Sequence, residues 1–214
     1  MKEFTLGFFT GLSLQLAIGP VFLFIANLAL QKSVIDGFAG VLAVTIVDLG
    51  YIGLVIFGIG RILEDPRWKK SFPLFSSFIL IALGVLIFRS VFDNGTGVFA
   101  IAAGSDLLAS FTSVFLLTVF NPMTIVLFTG LLAIKAVENN YTRKQLAVFG
   151  LGAGMATFAF MGMAVIFFSS IRGFIPLIAM QGLNIAVSLL LVGYGIRGLF
   201  RTLTAGNPEQ PGPG

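Results

Sequence analysis

One carboxylate stands inside an otherwise apolar stretch of this chain. Asp48 lies within residues 40–60, GVLAVTIVDLGYIGLVIFGIG, far from either end of the stretch. A charged side chain at the centre of a bilayer costs at least ~2.5 kcal/mol, so acids at that depth commonly face a substrate or ion pathway. Asp48 therefore indicates a transporter, either as a proton carrier or as the counter-charge of a cationic substrate. A structural role, as the partner of a hydroxyl or of a helix N-terminus, is the alternative.

The composition of the whole chain is that of a membrane protein. Its 214 residues are 57% hydrophobic and 10% charged, whereas soluble domains carry roughly 25% charge. Cys and His are absent, which removes disulfides, thiol chemistry, Cys/His zinc sites and histidine acid–base catalysis. We therefore expect neither an enzyme nor a cofactor. The net charge of +4 lies in short loops, so it does not indicate nucleic-acid binding.

Six apolar runs are long enough to cross a bilayer, which takes ~20 residues as a helix. The predicted fold class is an all-α membrane protein, because helices satisfy their own backbone amides in lipid. The whole is expected to be one transmembrane domain, residues 1–205, followed by a disordered Pro/Gly-rich tail, residues 206–214. The six runs are residues 5–30, 37–60, 73–92, 108–134, 146–170 and 177–200.

Prolines interrupt corresponding runs in the two halves of the chain. Gly19-Pro20 lies in the first run and Asn121-Pro122 in the fourth. Because three helices per half is an odd number, the halves must enter the membrane in opposite senses. The prediction is therefore an inverted repeat of two three-helix units, a plan common among transporters. The two units and the linker between them are residues 1–92, 108–205 and 93–107.

Each proline removes a backbone hydrogen bond and begins a new half-helix near the middle of the membrane. Asn and Gly both suit the N-cap position that precedes it. The open N–H groups and positive dipole end of such a half-helix suit an anion, for example the carboxylate of an amino acid. Simple kinks in the two helices are the alternative.

Polar side chains on the predicted helix faces complete a candidate substrate and ion site where the two halves meet. Helix–helix packing is the alternative for each, and for glycines it is the favoured interpretation. Gly150, Gly152 and Gly154 allow close packing within one chain or across a homodimer, and Thr157 shares a face with two of them. The predicted substrate- and ion-binding residues are Gln15, Gly19, Pro20, Thr45, Asp48, Asn121, Pro122 and Asn184.

These motifs resemble the lysine exporter (LysE/RhtB) superfamily of bacterial amino-acid exporters. The resemblance is carried by LSLQLAIGPVFLF, LAVTIVDLGY and LLTVFNPMTIVLFTGLL, and it covers nearly the whole chain. It implies proton-driven export of basic or small neutral amino acids, or related metabolites, across the bacterial cytoplasmic membrane. By position, the residues that match the family's motifs are Gly19, Pro20, Asp48, Asn121 and Pro122.

Basic residues set the expected orientation. Most of the 13 Lys and Arg residues lie on the side of the N-terminus, so the positive-inside rule places both termini in the cytoplasm. Other functions stay open. A divalent metal-ion transporter would need several carboxylates together, whereas Asp48 stands alone in its run. An accessory membrane protein that transports nothing would tolerate Asp48→Asn.

Overall fold

The computed structural model describes residues 1–15, 19–57, 66–92 and 107–204, and every regular element in these ranges is helical. The predicted tail, and all but the last residue of the predicted linker, lie outside the described residues. The elements are α1 (Lys2–Gln15), α2 (Pro20–Gln31), α3 (Val34–Ile56), α4 (Pro66–Phe92), α5 (Leu107–Val119), α6 (Pro122–Glu138), α7 (Arg143–Ile171), a 3-10 turn (Arg172–Phe174) and α8 (Leu177–Thr204).

Several of these helices are long and apolar enough to cross a membrane. Among the described residues, Val34–Ile56, Arg143–Phe174 and Gln181–Thr202 qualify alone. Two more spans result if α1 with α2, and α5 with α6, each count as one bent span. The third predicted run lies on α4, whose apolar part, Leu74–Arg89, is shorter. The chain is therefore an all-helical, multi-pass membrane protein with three to five candidate spans.

Both bent spans are interrupted at the prolines. α2 begins at Pro20 and the α1–α2 pair is bent by 81°, while α6 begins at Pro122 and the α5–α6 pair is bent by 58°. A proline has no N–H and its ring clashes with the preceding turn, so a helix ends before it. At the first position of a new helix the missing N–H costs nothing. The predicted interruptions at both prolines are present in the structure.

Glycines bring α1 against α7 at backbone-to-backbone distance. A Cβ added to Gly7 would lie 1.9 Å from the carbonyl oxygen of Phe149, and one added to Gly152 would lie 2.2 Å from that of Phe4. Gly11 extends this contact by one turn. Small residues at such positions are what lets helices associate tightly in lipid. We call this contact the α1–α7 glycine seam.

The neighbouring glycines of α7 face α3 instead. A Cβ on Gly150 would lie 2.3 Å from Cγ2 of Ile52, and one on Gly154 would lie 2.6 Å from Cδ2 of Leu49. With Gly152 in the seam, all three glycines of this cluster are used in packing within the chain. They therefore leave no glycine of the cluster to argue for a homodimer.

The half-helix α2 is the most enclosed element of the described bundle. Its side chains are buried without interruption from Phe24 to Leu30, and it packs against α3, α5, α7 and α8. Phe24, Ile25 and Leu28 join the main apolar core. Its first residue, Pro20, is by contrast half-buried.

Two pairs of helices, each with one member from the first half of the chain and one from the second, run antiparallel. On α4 and α8, Gly84 faces Leu191 while Gly195 faces Ile81. The same sense holds for α3 and α7, whose glycine contacts join the end of α3 to the start of α7. Two other large contacts cross between the two halves of the chain: α1 packs on α7, and α5 packs on α3.

Candidate functional site

Asp48 lies at one end of a hydrogen-bonded chain that joins three helices. It is 3% exposed on α3, and its Oδ2 accepts a hydrogen bond of 2.9 Å from the hydroxyl of Thr157 on α7. The same hydroxyl oxygen accepts from Nε2 of Gln15, the last residue of α1, at 2.5 Å. The predicted site residues Gln15 and Asp48 are thus brought together through Thr157.

Asp48 makes no ion pair within the part of the chain that the structure describes. The ion pairs there join the amino terminus to Glu3 and Lys135 to Glu138, both away from α3. A buried carboxylate without a cation is strongly disfavoured, and the single hydroxyl of Thr157 offsets only part of that cost. The described side chains therefore supply no counter-charge for the carboxyl group of Asp48.

The first interrupted span places its break level with Asp48. A Cβ on Gly40 would lie 3.3 Å from Ile25 and 3.5 Å from Leu28, which sets the register of α2 against α3. Asp48 lies eight residues after Gly40, and Pro20 lies eight residues before Leu28. Because α2 and α3 run antiparallel, both steps go the same way along the pair and cover about 12 Å at the helical rise. This register places Pro20, the start of α2, at about the same level of the bundle as Asp48.

The start of α2 has no side-chain cap among the described residues. Gly19 is the N-cap, in an extended conformation with φ −113° and ψ 178°. Its carbonyl accepts from the N–H of Leu23 at 3.2 Å, so the N–H groups of Val21 and Phe22 precede the first helical bond. The predicted residues Gly19 and Pro20 thus place the positive end of a half-helix at about the level of Asp48.

The second break, at Asn121-Pro122, is closed by hydroxyl groups. The Tyr51 hydroxyl donates to the carbonyl of Val119 at 2.5 Å, and the Ser76 hydroxyl donates to the carbonyl of Phe120. These are carbonyls that the proline deprives of helical partners. Tyr51 lies one turn from Asp48 on α3, so that helix contacts both breaks. The second break at Asn121 and Pro122 therefore lies near the same helix as Asp48.

Thr45 is buried one turn before Asp48, as predicted for residues sharing a helix face. Its hydroxyl donates to the carbonyl of Val41 on its own helix at 2.8 Å. Its hydrogen is thus occupied within α3, while its oxygen keeps the capacity to accept.

Asn184, another predicted site residue, lies away from Asp48. It is buried on α8, where its Oδ1 accepts from Asn27 and, at 2.9 Å, from Gln31. Both partners lie well past Pro20, about 10–16 Å along α2 at the helical rise. The structure therefore does not bring Asn184 to Asp48, and its role in binding stays a prediction.

Sequence reasoning left several buried polar groups out of the predicted site, and two of them belong to hydrogen-bonded groups around a carboxylate. Thr157 is one, and its shared face with Gly150 and Gly154 was the available signal, since that face meets α3. The other is Asp36, which looks like a loop residue but is 8% exposed. Its carboxylate accepts from Ser110 at 2.6 Å and from Ser33 at 2.5 Å. The Ser33 partner follows the S-x-x-D pattern of a helix start, whereas the Ser110 partner depends on how α5 packs on α3.

A metal centre has no candidate ligand set in the described ranges, where no three His, Cys, Asp or Glu side chains are grouped. Two buried carboxylates lie in these ranges. One is Asp48, and the other is Asp36, which accepts hydrogen bonds from two serine hydroxyls of its own.

Comparison with known proteins gives one match. A family model described as LysE type translocator matches residues 12–201. No curated protein and no solved structure matches the chain. The matched region runs from within α1 to within α8, and it contains Asp48 and both interrupted spans.

Proposed function

Since the chain belongs to the LysE type translocator family, we propose that it is a secondary active transporter that exports amino acids or related small metabolites, coupled to protons. Membership makes the chain a multi-pass membrane transporter, and transport rather than enzymatic catalysis is the activity of such a family. The substrate class, the proton coupling and the site are the content of the proposal.

The observation that carries the proposal is the buried carboxylate of Asp48, which has no described counter-charge and lies at about the level of an interrupted helix. Asp48 makes no ion pair among the described residues, so its charge is to be balanced by something the transporter picks up. A proton and the ammonium group of an amino acid both serve, and they compete for the same carboxylate. Alternate occupancy by the two would couple outward movement of substrate to inward movement of protons.

The break at Gly19-Pro20 supports an amino acid rather than a simple cation. An amino acid carries a carboxylate as well as an ammonium group, and the uncapped start of α2 offers N–H donors to an anion. With the ammonium group at Asp48 and the carboxylate at Val21 and Phe22, one zwitterion would satisfy both features. Thr45 on α3 is proposed to line the same position, and Gln15 at the end of α1 is proposed to border it through its hydrogen bond to Thr157.

We also propose six spans arranged as two inverted three-helix repeats, with α4 as the third span. The antiparallel pairs α3–α7 and α4–α8 support this, because equivalent helices of inverted repeats run in opposite directions. The contacts between the two halves, α1 on α7 and α5 on α3, support it as well. The positive-inside rule favours cytoplasmic termini in a bacterial cytoplasmic membrane.

The test is transport by the purified full chain in liposomes under an imposed pH gradient. Labelled lysine, arginine, threonine and homoserine are supplied separately to the wild type, Asp48→Asn and Asp36→Asn. The control changes a buried acid of the same helix whose carboxylate is already hydrogen-bonded to Ser33 and Ser110. We expect gradient-dependent flux of at least one amino acid, abolished by Asp48→Asn and kept by Asp36→Asn. Absence of flux for the whole panel in folded wild-type protein would contradict the proposal.

A further inference from the structure

We propose that Thr157 is a positioning residue that links the occupancy of Asp48 to the interrupted first span. The inference rests on the proposed transport function and deepens it. Thr157 is 0% exposed on α7, and one hydroxyl group contacts both Asp48 on α3 and Gln15 on α1. Gln15 is the last residue of α1 before the break. The link therefore runs from the carboxylate to the point where the first span is interrupted.

The hydrogen bonds in this link have a fixed direction. The nitrogen of the Gln15 amide is a donor only, so the oxygen of Thr157 accepts from it. The single hydrogen of the hydroxyl then points to Oδ2 of Asp48, which accepts. In this arrangement the carboxylate orients the hydroxyl, and the hydroxyl holds the side chain of Gln15.

Neutralisation of Asp48 weakens the link. A hydrogen bond to an ionised carboxylate is roughly twice as strong as one between neutral groups. When a proton or an ammonium group takes the carboxylate, the Thr157 hydroxyl has a competing acceptor one turn back on its own helix, as buried threonines commonly do. The hydroxyl that turns away no longer presents the same lone pair to Gln15. The end of α1 is thus held when Asp48 is charged and empty, and released when it is occupied.

The packing of α1 on α7 does not require a hydroxyl group at Thr157. The α1–α7 glycine seam already holds the two helices together through backbone contacts at Gly7, Gly11 and Gly152. Valine has the shape of threonine without the hydroxyl, so Thr157→Val removes the link while leaving the volume between the helices filled. The variant separates the role of the hydroxyl from the role of the side chain's bulk.

The test measures rates of pH-gradient-driven uptake in liposomes, with whichever of labelled lysine, arginine, threonine or homoserine the wild type carries. We expect Thr157→Val to lower the maximal rate about tenfold, the equivalent of one hydrogen bond to a charged group. The KM is expected to stay close to that of the wild type, because the substrate does not contact Thr157. Thr157→Ser, which keeps the hydroxyl, is expected to restore most of the rate.

A double-variant comparison keeps the inference testable from the other end of the link. Gln15→Leu is expected to slow transport as Thr157→Val does, and the combined variant to be no slower than either, because both break one link. Gln15→Leu alone tests the link if Thr157→Val does not fold. Thr118→Val is the matched control: Thr118 is buried, but its hydroxyl donates to Val114 of its own helix at 2.8 Å.

Several results would overturn the inference. Wild-type rates in Thr157→Val or Gln15→Leu, an equally slow Thr157→Ser, or losses that multiply in the combined variant would each do so while leaving the proposed function intact. Loss of flux in Asp48→Asn with normal Thr157→Val marks failure of the link alone. Absence of flux in the wild type overturns both proposals.

Discussion

The two interrupted spans share a proline but complete their broken backbones in different ways. At Asn121-Pro122, the hydroxyls of Tyr51 and Ser76 donate to the freed carbonyls. At Gly19-Pro20, no described side chain caps the start of α2. At the second break the chain itself pairs the carbonyl acceptors that end α5, and at the first break it leaves N–H donors available at the start of α2. An interrupted helix is thus a candidate binding site only where the chain leaves its own polar groups for a ligand.

The surroundings of the two half-helices explain the difference. α2 is buried from Phe24 to Leu30, whereas the buried members among the described side chains of α6 are Phe128 and Leu132. Unpaired backbone groups are tolerated in a membrane where they face protein or a polar path, and not where they face lipid. The central break can therefore serve a substrate, while the peripheral break needs hydroxyl partners.

The largest effect is expected from a substitution that breaks the α1–α7 glycine seam, which holds the first interrupted span. A Cβ on Gly11 would lie 2.8 Å from backbone atoms of Ala153, so Gly11→Val forces α1 away from α7. We expect at least ~3 kcal/mol of lost stability, since backbone rather than a flexible side chain must shift. Thermal unfolding in detergent measures it.

The control for Gly11→Val is a glycine substitution in the other interrupted span. A Cβ on Gly130 of α6 would meet nothing within 4 Å, so Gly130→Ala should raise stability by roughly 0.5–1 kcal/mol. If Gly11→Val were as stable as the wild type, the glycine seam would not hold the first span.

An intermediate effect is expected at the second break. Tyr51→Phe and Ser76→Ala each leave one backbone carbonyl without its hydroxyl donor, which costs about 1–3 kcal/mol. Unfolding of the purified variants in detergent shows the loss. Thr112→Val is the comparison, because Thr112 is exposed and bonds its own helix at Leu108; it should change stability by less than ~0.5 kcal/mol. Equal stability of all three variants would mean that the hydroxyls do not close the break.

Part of this arrangement was readable from the sequence. The lone acid in an apolar run and the two prolines predicted a buried Asp48 and two interrupted helices, because charge cost and proline geometry are local properties. The seam, the Tyr51 cap and the link through Thr157 were not predictable, since each depends on the register between helices distant in sequence. Asn184 illustrates the limit: its face on α8 was evident, but its partners, Asn27 and Gln31, were not.

The smallest expected effect sharpens the comparison at the first break. Gly19 has an extended backbone that any residue can adopt, so Gly19→Ser supplies the missing cap. We expect a gain in stability of a few tenths of a kcal/mol and a higher KM for the amino acid, because the serine hydroxyl occupies an N–H meant for its carboxylate. Melting curves and uptake kinetics report the two effects. A gain in stability with unchanged KM would remove the start of α2 from the substrate site.

The most direct test of the difference between the two breaks is the rate of pH-gradient-driven amino-acid uptake by Asp48→Asn and Tyr51→Phe, each corrected for the amount of folded protein. The first change removes the carboxylate at the level of the open break, and the second removes a hydroxyl that closes the other. We predict that Asp48→Asn abolishes uptake and that Tyr51→Phe keeps most of the wild-type rate. Wild-type uptake by Asp48→Asn, or an equal loss in Tyr51→Phe, would contradict the assignment of function to the first break.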